Sequence, residues 1–117
     1  MSILCIETSI KIEELKERAK NQFRERLIKA VVDVEKGVMA IGGAMHCDEE
    51  SVLLEKGSSQ WNLWGINIYP EKMGEEFIEY DSMINLRPSQ GNYSRGIDDP
   101  QIREKITQIV WNLVDQS

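Results

Sequence analysis

The sequence predicts an α+β fold: an antiparallel four-stranded sheet in a helix-ββ-helix-ββ-helix order, with the helices mainly on one face. Three observations carry this. Apolar stripes at helical spacing lie near both ends of the 117-residue chain. Between them, β-branched or alternating segments come in two pairs, at residues 28–41 and 63–86. Within each pair the connection is too short for a crossover helix, so the strands of a pair run antiparallel.

A short apolar strand at the N-terminus precedes the first helix. Ile12, Leu15, Ala19 and Phe23 form one helical face, and Glu13, Glu14 and Glu17 place acids at the positive end of the dipole, which predicts a helix over residues 11–25. Residues 28–34 are β-branched, Glu35-Lys36-Gly37 supplies a turn, and residues 38–41 are apolar again, a hairpin. Gly42-Gly43 ends the second strand. Residues 46–56 carry early acids, a late Lys56 and then Gly57, the marks of a short helix.

Trp64, Ile66 and Ile68 alternate over residues 63–69 as a half-buried strand that Pro70 stops. Residues 77–86 alternate again through Ile78, Tyr80, Ser82, Ile84 and Leu86, which predicts its partner strand. Residues 87–97 hold Pro88, Gly91 and Gly96 among polar side chains and read as a long loop. Asp98 or Asp99 then caps a final helix with Pro100 at its first position and Ile102, Ile106, Ile109, Val110 and Leu113 as its buried stripe.

The length fits a single domain over residues 1–117, with no repeat or linker. A hydrophobic fraction of 41% excludes a disordered chain, and a net charge of −6 argues against nucleic-acid or anionic-membrane partners. No basic leader with an apolar run opens the chain, and no run is long enough to span a bilayer. Cys5 and Cys47 lie outside any Cys-x-x-Cys pattern and read as reduced thiols, small packed side chains of a cytoplasmic protein.

The segments Val31-Val32-Asp33-Val34-Glu35, residues 46–50, Leu63-Trp64-Gly65-Ile66-Asn67-Ile68-Tyr69-Pro70 and Asp81-Ser82-Met83-Ile84-Asn85-Leu86-Arg87-Pro88-Ser89-Gln90-Gly91-Asn92 resemble a family of small uncharacterised prokaryotic proteins, a domain of unknown function. The chain departs from that pattern at Cys47, where the family has Ala, and at Tyr93, where it has a polar or basic residue. The resemblance implies a cytoplasmic single-domain protein and brings no activity or cofactor with it.

Three constellations are chemically suggestive. His46, Asp48 and Glu49 join an imidazole to carboxylates, a candidate metal or acid–base set, although the helix start independently accounts for the acids. Asn85, Arg87, Ser89, Gln90, Asn92 and Arg95 crowd donors into the long loop before a helix N-terminus, a candidate site for a small anionic or polar ligand. Asp33, Asn67, Asp81 and Asn85 converge on one sheet face if the strand registers allow, or else line a solvated face.

Trp64 reads as core, whereas Trp61 in a loop and Trp111 beside the last helical stripe are candidate interface residues, from which a homodimer through an open sheet face or the last helix follows. The function these features favour is a small ligand-binding or interaction module. The alternative is a metal-assisted hydrolase or transferase using His46, Asp48 and Glu49.

Overall fold

The computed structural model describes residues 2–117. Its elements, in chain order, are β1 (Leu4–Ile6), β2 (Ile10–Lys11), α1 (Ile12–Lys20), β3 (Ile28–Asp33), β4 (Val38–Ile41), α2 (His46–Glu55), β5 (Leu63–Ile68), β6 (Ile78–Glu79), α3 (Pro100–Leu113) and β7 (Val114–Asp115). The class is the expected α+β with three helices, but the sheet has five strands rather than four, ordered β1-β4-β3-β5-β6 and antiparallel throughout. The N-terminal strand adds to the outer edge of the hairpin, Leu4 opposite Ile41 and Ile6 opposite Met39. A second, two-stranded parallel sheet joins Ile10 to Val114 and so ties the entry of α1 to the exit of α3.

The hairpin of β3 and β4 forms where the β-branched run predicts it. Asp33 secures the turn: its Oδ1 accepts the Glu35 and Lys36 N–H groups at 2.9 Å each, and its carbonyl accepts from Gly37 at 2.9 Å. Gly37 itself takes a φ of 70°, which a side chain would resist. α1 is shorter than residues 11–25, ending at Lys20 because the chain turns at Asn21 and Arg26 adopts a φ of 57°. At α3 the cap is Asp99, whose side chain accepts from the Gln101 N–H at 2.9 Å, with Pro100 following.

Alternation divides the sheet into two buried faces. One presents Ile28, Ala30, Val32, Met39, Ile41, Trp64, Ile66 and Ile68 to Leu15 and Ala19 of α1 and to Ile106, Ile109, Val110 and Leu113 of α3. Each large aliphatic there contributes about 1.5–3 kcal/mol through burial. The other face, with Val31, Ala40 and Leu63, packs on Leu53 of α2 and on Ile84. Two helices therefore share one face as expected, but α2 covers the opposite one, so the open face proposed for a second subunit is occupied by the chain's own helix.

The alternation over residues 77–86 yields only the two-residue β6. Beyond Glu79 the side chains are drawn elsewhere. The Tyr80 hydroxyl reaches α3 at Thr107 Oγ1 (2.8 Å) and the Arg103 carbonyl (3.1 Å), and Met83–Asn85 closes into a 3-10 turn capped by Ser82. Among the described residues no helix is long and apolar enough to cross a membrane.

Candidate functional site

The donor-rich loop spends most of its polar groups inward. Asn85, fully buried, accepts the Gly65 N–H on its Oδ1 (2.8 Å) and donates from Nδ2 to the carbonyls of Gly65 (2.9 Å) and Arg95 (3.0 Å). Asn92, also buried, donates to the carbonyls of Asn85 and Gly96 and accepts from the Asp98 N–H at 2.7 Å. Arg87 lies over the Trp64 ring at 4.5 Å and donates to the carbonyls of Ile84, Gln60 and Leu63 and to Gln90 Oε1. Gln90 in turn donates to the Trp61 carbonyl at 3.1 Å, and Ser89 stands exposed. These side chains replace the strand that the edge of β5 lacks, which is the physical reason the segment folds without regular pairing.

His46, Asp48 and Glu49 do not converge. The His46 Nε2 lies 2.8 Å from the Ile66 carbonyl, which only accepts, so Nε2 carries the proton. Asp48 faces solvent. Glu49 is wholly buried, and its Oε2 accepts the Gly43 N–H at 3.1 Å while Oε1 has no partner among the described residues. Burial pushes its carboxyl up to about 9, partly offset by that hydrogen bond. Among the described residues no three of His, Cys, Asp and Glu are grouped to hold a metal ion.

Each of the three constellations nevertheless sends residues to one place. A cleft of about 300 Å³ is lined by His46 and Cys47 of α2, Lys29 of β3, Asn67 of β5, Met45, and Asp81 to Ile84 with Arg95. The registers explain the convergence: Lys29 stands opposite Asn67, and Asn67 opposite Glu79, forming a polar row across three strands. Of the predicted loop set only Arg95 lines this cleft, and of the sheet set only Asn67 and Asp81. Asp33 is instead held at its turn, where it also accepts from Ser58 Oγ at 2.6 Å.

The lining carries two cations, Lys29 and Arg95, and one carboxylate, Asp81, while Glu79 accepts from Asn67 Nδ2 at its border. Arg95 pairs with Asp81 at 2.7 Å, whereas Lys29 pairs with no carboxylate among the described residues and lies 5.4 Å from the Phe23 ring centre. α2 begins at His46 with no side-chain cap on its first turn, because Met45 has no oxygen to offer. Burial above all, helped by Lys29 and Arg95, holds His46 below the ordinary imidazole range against the opposing pull of its bond to Ile66 and of Asp81. The ring is thus neutral near pH 7, with Nδ1 as an acceptor. Lys29 was missed as a candidate because a lone lysine in a strand carries no signal until the register pairs it.

A larger cavity, about 530 Å³, lies between the β6 region and α3, lined by Ile78, Tyr80, Thr107 and Trp111 among others. Its Tyr80 hydroxyl is engaged by Thr107 and the Arg103 carbonyl, and Glu75, Arg103 and Glu104 complete its charged lining.

The fold and cleft define a small α+β protein whose sheet, covered on both faces, leaves a polar opening at the start of α2. The chain belongs to the family described as protein of unknown function (DUF5674), which matches residues 4–113. Comparison with curated proteins and with solved structures gave no match.

Proposed function

We propose that this protein binds a small anionic ligand in the cleft formed by Lys29, His46, Asn67 and Arg95. The observation that carries the reading is Lys29, half-buried in the wall with no carboxylate partner among the described residues, beside Arg95 and the uncapped start of α2. Among the lining residues two cations face one carboxylate, Asp81, and the N–H groups of His46 and Cys47 at the uncapped start of α2 add partial positive charge, so an anion entering the cleft is attracted by Lys29, Arg95 and the helix start. The volume suits a ligand at the small end of the usual pocket range, roughly 300 Å³ upward. This narrows the donor-rich loop to Arg95, with Asn85, Arg87 and Asn92 building the wall behind it.

Titration of the protein with inorganic phosphate, followed by the signals of its only histidine, tests the reading. Saturable shifts at His46 are expected, with affinity falling about tenfold or more in Lys29→Ala and in Arg95→Gln. Absence of saturable shifts, or wild-type affinity in both variants, overturns it.

A further inference from the structure

Charge is only half of what the cleft presents, because two of its side chains hold acceptors with nothing to accept. Asn67 is 7% exposed, and its Nδ2 donates to Glu79 Oε1 at 2.8 Å and to the Asp81 carbonyl at 3.4 Å. That orientation is fixed, since the flipped amide would set its oxygen against the Glu79 carboxylate. Oδ1 is thereby left buried with no partner among the described residues. His46 has the same character: with Nε2–H committed to Ile66, Nδ1 keeps a lone pair for which no protein donor is present among the described residues. Both residues line the cleft that holds Lys29 and Arg95.

We propose that the ligand is a hydroxylated small anion, one carrying neutral O–H donors beside a phosphate or carboxylate group; this rests on the anion-binding reading above. The anionic group faces Lys29 and Arg95, and the hydroxyls donate to Asn67 Oδ1 and His46 Nδ1. An ammonium would also satisfy these acceptors, but among the lining residues it would meet Lys29 and Arg95 against Asp81 alone, with the Glu79 carboxylate already engaged by Asn67 Nδ2 and Tyr69, so repulsion would offset what it gained by hydrogen bonding. A bare oxyanion would leave the buried Asn67 acceptor unmet. A hydroxyl supplies the donor without the charge. Sugar phosphates and hydroxy acids share this chemistry.

Matched probes separate the possibilities. Glycerol 3-phosphate is compared with propyl phosphate, and lactate with propionate, by calorimetry on the full chain and by the imidazole nitrogen signals of His46. We expect the hydroxylated member of at least one pair to bind about tenfold or more tightly than its deoxy partner, and the Nδ1 signal to move as that nitrogen accepts a hydrogen bond. The pair showing the preference identifies phosphate or carboxylate as the anionic group. Equal affinities within both pairs overturn the hydroxyl assignment while leaving anion binding intact. Silence from all four probes removes the anion reading as well. In Asn67→Leu the preference is expected to collapse, and a folded variant that keeps it overturns the role of Asn67. Should that variant fail to fold, the wild-type Nδ1 signal decides, since an unmoved signal on binding a hydroxylated probe overturns the role given to His46.

Discussion

The carboxamide of Asn85 bonds both backbone groups of Gly65, accepting its N–H at 2.8 Å and donating to its C=O at 2.9 Å. One side chain thus performs for β5 what a neighbouring strand performs elsewhere in the sheet. Asn85→Ala would leave two buried backbone groups unpaired and should cost about 2–4 kcal/mol. Asn85→Asp keeps the acceptor but loses the donor, so it too should destabilise. Urea unfolding of the two variants measures this, and wild-type stability in both would show that water replaces the amide.

Gly65 is required by the same arrangement. A Cβ placed there would stand 2.6 Å from both Cβ and Oγ of Ser82, which is itself buried. Gly65→Ala should cost about 1–3 kcal/mol through overpacking. Ser82→Gly in the same chain should recover part of that loss, and a double-mutant cycle with no coupling would refute the contact.

Arg87 tests whether the loop builds the wall or touches the ligand. Its guanidinium serves three carbonyls and Gln90 while stacking on Trp64, a geometry an ammonium cannot reproduce. Arg87→Lys should therefore lower stability by about 2–3 kcal/mol while phosphate affinity, read under conditions where the variant is folded, stays unchanged. A large loss of affinity with stability intact would return Arg87 to the binding surface.

Glu49 sets a pH dependence whose sign can be worked out. Its carboxyl titrates near 9 in the fold against an ordinary 4.5, so between those values the folded chain holds a proton that the unfolded chain has released. Stability from this group is complete below about pH 4.5 and declines as pH rises toward 9, with a slope approaching about 1.4 kcal/mol per pH unit. Glu49→Gln, which still accepts the Gly43 N–H, should flatten the decline and be the more stable chain at pH 8. Parallel pH profiles for the two proteins would contradict a buried, protonated Glu49.

Much of the architecture was legible from residues close together in the chain. The β3–β4 hairpin follows from a β-branched run and Gly37, the start of α3 from Asp99 and Pro100, and the span of α2 from its acids and Gly57. These signals are local, acting over a few residues, and the structure follows them closely. The misread strand over residues 77–86 shows the limit: its alternation is real, but Tyr80 is claimed by α3 and Asn85 by Gly65 before a ladder can continue.

By itself, then, the sequence determined the α+β class, the helix and hairpin positions and the separate chemical inventories around His46, Arg95 and Asn67. Only the tertiary structure decided that these three inventories share one cleft, that Lys29 joins them, and that Arg87 and Asn92 face inward. The reason is register. Whether Lys29 meets Asn67 depends on how two distant strands align, and a slip of one residue would have sent either side chain to the opposite face of the sheet.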